Sequence, residues 1–378
     1  MVRYLSHYKG PYRIFTVSKN KEMTEQLLAA GLTVGEISED TLTILPDNIA
    51  VTIASEEKAR FSVFAEGDVV EINERGILYR WYSVVEGDAG IATTSHCNSN
   101  CIMCPASESE RRLANNISLP QLDTVLKHMP KDLWYFTVTG GEPTLIGEDK
   151  FLHVMRSVKR ELPHTRILLL TNGRTLGDRD FFAKFAQTRP NHLRIAIPIH
   201  GSTAQKHDYI TQSPGGFRQT MRGISNILHA HIELELRIVV SKLNCDDVTN
   251  IAKLIIRYFP TTTVVNFVGL EMRGNCVANA DQVLISYQDA FQKSKEAIRL
   301  LIHHGIDVGL YNFPYCMIDE EYWPIAQKSI SAYKSMFYDA CEQCRLRHEC
   351  CGIFLATMNF YKPKVYPITS GDQYDKLL

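Results

Sequence analysis

The sequence predicts an α/β fold built as a partial (β/α)6 barrel, with a small β-rich region before it and a cysteine-rich extension after it. Three observations predict this. From residue 89 strand-like and helix-like stretches alternate along the chain. The strand-like runs, RILLLT at 166–171 among them, are continuously apolar, as in parallel strands covered on both faces. The segments rich in cysteine, glycine and asparagine follow these strands directly, and parallel barrels keep their chemistry at the C-terminal strand ends.

Residues 1–88 are expected to form a separate β-rich domain, with strands over 12–17, 41–45, 49–53, 69–72 and 76–82 and a helix over 21–30 that stops at Gly31. No chemical motif lies there, and a docking module or a plain structural addition both fit. The barrel is expected over 89–305. Its strands are 91–95, 134–139, 166–171, 193–198, 233–240 and 264–270, with amphipathic helices near 119–129, 149–161, 179–187, 217–229 and 247–258. A helix near 287–304 and a strand near 306–310 follow, and 306–378 is assigned to the extension.

Composition narrows the partners. The 378 residues carry a formal net charge of -1, with 45% hydrophobic and 22% charged residues. No global basic footprint for nucleic acid is present. No apolar run reaches the length of a membrane span, and the first residues lack a signal-peptide core, so no membrane partner and a cytoplasmic location are expected. In that setting clustered cysteines point to metal rather than to disulfides.

Three of the ten cysteines stand as Cys97-x3-Cys101-x2-Cys104, just after the first barrel strand. Three thiolates on one loop can hold three irons of a cubane and leave the fourth open for a ligand, as an open metal position does at a catalytic site. Zinc is the rival and needs a fourth ligand; His96, adjacent to Cys97, is poorly placed to close the same tetrahedron. The second barrel strand runs into Gly140-Gly141-Glu142-Pro143. The glycines allow close approach of backbone, Glu142 can accept from an ammonium group, and Pro143 fixes the turn.

The pair formed by this cysteine spacing and Gly-Gly-Glu-Pro resembles the signature of radical S-adenosylmethionine (SAM) enzymes. The resemblance implies a 4Fe-4S cluster on Cys97, Cys101 and Cys104. It implies SAM chelated at the open iron, with its amino group held by Gly140, Gly141, Glu142 and Pro143, and reductive cleavage to a 5′-deoxyadenosyl radical. It also places Asn172, in Thr171-Asn172-Gly173, near the cofactor. Arg237, inside the fifth strand, becomes a candidate for the cofactor carboxylate. Glu235 shares its face of the strand, but the spacing reads as poor for a tight ion pair. At the fourth strand end the chain has Ile197-Pro198-Ile199-His200-Gly201, where relatives often carry Ser-x-Asp-Gly. That departure puts a ribose-binding serine in doubt. His200 and His207 are candidates for proton handling or substrate orientation.

Near the C-terminus stand Cys316 and then Cys341-x2-Cys344-x5-Cys350-Cys351. This resembles the core of the auxiliary-cluster extensions of peptide-modifying radical SAM enzymes. It implies a second, closed 4Fe-4S cluster on Cys316, Cys341, Cys344 and Cys350, with Cys351 as a spare, and structural zinc is the rival. Segments 139–144, 170–174, 197–201, 207–210, 214–217, 311–316 and 329–331 together resemble the HxsC-type maturases of His-Xaa-Ser peptide systems, over about residues 67–356. That implies a ribosomal precursor peptide as substrate, a second radical SAM maturase (HxsB) as partner, and a flavodoxin or ferredoxin as electron donor. The alternatives are a radical SAM enzyme acting on a small molecule or tRNA, and a zinc-binding scaffold.

Overall fold

The computed structural model describes residues 3–38, 40–87 and 89–369; the last nine residues of the expected extension and residues 1, 2, 39 and 88 of the expected N-terminal domain lie outside them. The N-terminal region forms one mixed sheet of β1 (Arg3–Tyr4), β2 (Arg13–Ser18), β3 (Val34–Ile37), β4 (Thr41–Leu45), β5 (Ile49–Thr52), β6 (Val69–Ile72) and β7 (Ile77–Tyr82), in the order β1-β7-β6-β2-β3-β4-β5. The helix Lys21–Ala29 starts where the Asn20 side chain accepts from Met23 N at 2.8 Å, and it carries the chain over to a parallel pairing of β2 with β3. Strand β3 is not apparent from its short Val-Gly-Glu-Ile sequence. Gly35 is needed there because a Cβ would lie 2.3 Å from the Phe15 ring.

One face of this sheet has its own core, with Leu5, Phe15, Val17, Leu42, Ile44 and Val70. The other face docks on the helix Leu119–His128, so that Ile14, Val69 and Tyr82 belong to the main core. Thr16 Oγ1 and His128 Nδ1 are 2.9 Å apart across this junction, and Glu71 accepts from Gln121 at 2.9 Å.

The second sheet is parallel throughout: β8 (Gly90–Ala92), β9 (Tyr135–Thr139), β10 (Arg166–Leu170), β11 (Leu193–Pro198), β12 (Glu233–Val239), β13 (Val264–Val268), β14 (Asp307–Tyr311) and β15 (Ala326–Gln327), each beside its neighbour in sequence. Such an order, with a helix in most connections and two unpaired outer strands, is an open barrel. The six strands read from the sequence are present. The strand expected near 306–310 also joins, pairing Asn266 with Gly309, so the sheet runs past residue 305.

The helices Glu148–Glu161, Arg179–Thr188, Gly216–His229, Val248–Tyr258 and Tyr287–His303 cover the outer face. Alternation along β12 sends Leu234, Leu236 and Ile238 to the helices, where each fully buried side chain contributes roughly 2 kcal/mol. Glu235 and Arg237 face the other way, into the barrel, and residues 93–104, 140–146, 171–177 and 199–203 gather at its C-terminal rim.

Candidate functional site

The cysteine loop leaves β8 and is tied to the Gly-Gly-Glu-Pro segment mainly through backbone. Gly141 N donates to Thr94 O at 2.8 Å and Glu142 N to His96 O at 2.7 Å. A Cβ on Gly141 would lie 2.3 Å from Ser95 O and 2.4 Å from His96 O, and one on Gly140 2.4 Å from Thr94 O. Two glycines are therefore what lets the strand end lie against the cysteine loop. Pro143 opens a single 3-10 turn, and its carbonyl accepts from Thr93 Oγ1 at 3.1 Å.

Glu142 is fully buried. Its Oε1 accepts from Thr144 N at 3.2 Å, Thr144 Oγ1 at 2.8 Å and Thr171 Oγ1 at 2.7 Å, and its Oε2 from Asn172 N at 2.7 Å. Burial pushes its pKa upward against these donors. The sequence reading gave this carboxylate an outward role toward an ammonium group. The structure turns it inward, where it joins the ends of β9 and β10, and leaves the backbone of Gly140 and Gly141 exposed on the rim.

Asn172 reaches the cysteine loop, its Nδ2 donating to Asn98 Oδ1 at 2.7 Å. Beside it Arg174, which sequence reasoning did not single out, donates through Nη1 to Asn98 O at 2.6 Å and Ser99 Oγ at 3.2 Å, and through Nε to Gln219 at 2.7 Å. From the far side Asn275 Nδ2 donates to Cys101 O at 3.0 Å and Asn279 Nδ2 to Ile102 O at 3.1 Å.

Cys97, Cys101 and Cys104 are half-buried free thiols. Burial first, and then repulsion from the Cys104 and Cys97 sulfurs, push the Cys101 thiol up to about 12. A thiol held protonated at neutral pH ionises when a metal takes the proton's place. His96 is exposed, and among the described residues its hydrogen bonds are made by its backbone. Among the described residues no three His, Cys, Asp or Glu side chains converge at the spacing of a single ion. Three soft thiols on one loop form a donor set suited to an iron–sulfur cluster with one open iron. Cys276, which looked isolated in sequence, lies against this group: it is fully buried, and its N donates to Cys104 O at 3.4 Å.

His200 and His207 come together behind the rim. Their rings are 5.7 Å apart, His200 N donates to His207 Nδ1 at 3.3 Å, and His200 Nδ1 has no partner among the described residues. Burial lowers His200 to about 3 and His207 to about 4, so both are neutral at pH 7. Asp208 bonds Gly215 N at 2.7 Å and Phe217 N at 2.6 Å and is occupied there.

Arg237 corrects the sequence reading. Its Nε donates to Glu235 Oε1 at 2.6 Å, a tight pair inside the barrel, with the Tyr311 ring 5.6 Å from the guanidinium. Residues two apart do share a face, and the long arginine side chain folds back over the distance along the strand. Glu235 is 2% exposed, so the pair keeps a carboxylate from being buried alone.

Cys316, Cys341, Cys344 and Cys350 line one cavity, floored by Pro314, Tyr315 and Ile353. Burial raises the Cys316 thiol to about 11, with the Cys350, Cys341 and Cys344 sulfurs acting in the same sense. Cys351 is absent from the lining and is buried against Ile330 and Phe354. Four thiols around a pocket of this kind also suit a cluster.

Residues 91–255 match the model of the Radical SAM superfamily. The chain is 26% identical over 166 residues to the AdoMet-dependent heme synthase of Methanosarcina barkeri (43% of this chain, 44% of that one). It is 26% identical over 163 residues to the sporulation killing factor maturation protein SkfB of Bacillus subtilis (42% and 37%). The match thus spans less than half the length of either relative. Streptococcus suis SuiB bound to S-adenosylmethionine is similar with a TM-score of 0.48 at 10% identity, over 58% of this chain and 49% of that one.

Proposed function

We propose that this chain, which carries a radical SAM superfamily domain over residues 91–255, is a maturase that modifies a ribosomally made peptide by hydrogen abstraction. Cys97, Cys101 and Cys104 would hold a 4Fe-4S cluster, with SAM at the fourth iron. When bound, this pair supplies an electron to the sulfonium and yields a 5′-deoxyadenosyl radical. The protein's part is to shape and shield the site. Gly140 and Gly141 would offer bare backbone to the SAM amino group, with Glu142 and Asn172 bracing the strand ends behind them, and Arg237, paired through Nε with Glu235, would give its remaining N–H groups to the carboxylate. His200 and His207, whose burial disfavours the protonated form, suit a positioning role better than proton handling.

The observation that carries the peptide reading is the second cavity. Four thiols from 316 to 350 surround it, and a closed cluster there can take up the electron left when a peptide cross-link forms. SkfB, by its name, matures a peptide factor. The His-Xaa-Ser class of substrate, with a companion maturase and a flavodoxin or ferredoxin donor, rests on the shorter sequence strings.

The test is anaerobic reconstitution followed by co-expression with a candidate precursor peptide. About eight irons per chain, SAM-dependent release of 5′-deoxyadenosine and a defined mass change in the peptide are expected. Zinc in place of iron overturns the cluster assignment. Full release of 5′-deoxyadenosine with an unchanged peptide and a modified small molecule overturns the substrate class.

A further inference from the structure

Arg111 is buried, at 5% exposed, in the short helix Glu108–Arg112 that follows the cysteine loop. Its guanidinium donates to Ala106 O and to Asn100 Oδ1, both neutral acceptors. Asn100 lies between Cys97 and Cys101, and Ala106 two residues past Cys104, so one side chain spans the loop that carries all three thiols. Asn100 Oδ1 is held from its other side by Asn275 Nδ2 at 2.9 Å.

No carboxylate among the described residues is in ion-pair contact with Arg111. Neighbouring Glu110 is occupied by Arg273 at 2.9 Å and by Ser107 N at 2.6 Å. A guanidinium buried among neutral partners is unfavourable by several kcal/mol unless an anion offsets it. Its electrostatic reach takes in the Glu110 carboxylate, which is 46% exposed and shared with Arg273, and the buried sulfurs of Cys97 and Cys101, which are anionic when they hold a metal. We infer that Arg111 is the charge-balancing and positioning residue for an anionic, thiolate-bound cluster in this loop. The inference rests on the cluster reading above.

The buried cation favours the reduced cluster, which carries one more negative charge, and so raises the reduction potential. It also destabilises the empty loop, which has no such charge. These two consequences have opposite signs in the two forms of the protein, and a purely structural arginine has neither.

The experiment compares the wild type with Arg111→Lys, Arg111→Gln and Arg111→Met, each reconstituted without oxygen. The readout is a potentiometric titration of the electron paramagnetic signal that changes when SAM is added. In the Gln and Met variants the ratio of reduced to oxidised cluster at a fixed potential is expected to fall about tenfold, a shift of about 59 mV for one electron. Arg111→Lys, which keeps the charge, recovers most of it. The metal-free Met variant is expected to melt at or above the wild-type temperature. An unchanged potential in the Gln and Met variants overturns the inference, as does a metal-free Met variant that melts far below wild type or fails to fold. Wild-type protein with no iron at the loop defeats the cluster reading itself, and is thereby told apart from a failure confined to Arg111.

Discussion

Gly141→Ala tests whether the strand end must lie against the cysteine loop. The new Cβ would stand 2.3 Å from Ser95 O and 2.4 Å from His96 O, where real side chains keep at least 3.0 Å, so the loop must retreat by about 0.7 Å. Both obstructing atoms are backbone, and no rotamer change relieves them. The retreat stretches Gly141 N–Thr94 O and Glu142 N–His96 O, now 2.8 and 2.7 Å, toward the limit of hydrogen bonding. Two weakened bonds account for about 1–2 kcal/mol and the crowding for about as much again, or roughly 3 kcal/mol together. For a domain of this size that lowers the melting temperature by about 6–12 °C. The assays are thermal melting of metal-free protein and iron retained after reconstitution. Gly305→Ala serves as the control. Its own backbone is unfavourable for alanine (φ +74), unlike that of Gly141, but the new Cβ meets nothing within 4 Å, so it is expected to cost about 1 kcal/mol and to leave iron binding intact. If Gly141→Ala melts like the control and keeps its iron, the close contact is not what orders the loop.

Further outcomes are expected from the same geometry. Glu142→Gln places an amide NH2 where both carboxylate oxygens accept from backbone N–H groups, those of Thr144 and Asn172, and is expected to cost about 1–3 kcal/mol and to reduce 5′-deoxyadenosine release; wild-type melting and release would contradict it. Arg237→Ala leaves Glu235 buried without its cation and is expected to cost about 3 kcal/mol, while Glu235→Leu with Arg237→Ala recovers stability but not SAM affinity, as read by melting and equilibrium binding. Cys344→Ala is expected to remove the iron of the C-terminal cavity, about four per chain, and to spare the SAM-responsive signal; loss of both signals would show the two sites to be inseparable. His128, lowered by burial from 6.5 to about 4, binds its proton more readily when unfolded, so its contribution is complete above pH 6.5 and lost as pH falls through about 4. At pH 5 the loss is about 2 kcal/mol, and His128→Asn is expected to flatten the melting profile between pH 6.5 and 4.

What could be read from the sequence was whatever depends on spacing. The thiols of Cys97, Cys101 and Cys104 belong to one loop because they lie within eight residues, and Arg166–Leu170 declares a two-sided buried strand by composition alone. What escaped depends on partners distant in sequence or on side-chain direction. Arg174 and Arg111 look like ordinary surface cations until the fold brings Asn98 and Asn100 to them. Cys276 meets Cys104 across more than 170 residues. The inward turn of Glu142 could be suspected only from the threonines at 144 and 171, whose hydroxyls face its carboxylate. The ion pair of Glu235 and Arg237 was judged by spacing along the strand, whereas the reach of the side chain decided it. Strand β15 has two residues, too few for any periodic pattern.

The ties that shape the cysteine loop also set a timetable for its biogenesis. Asn100 N and Ile102 N donate to Thr211 O and Ile210 O, and Asn275 and Asn279 hold the carbonyls of Cys101 and Ile102. A nascent chain that has left the ribosome only as far as Cys104 has none of these partners. Iron delivered to it would meet three thiols on an unshaped tether. A cluster held by these thiols would meet its shaped loop only once synthesis has advanced beyond residue 279, late in translation or after release.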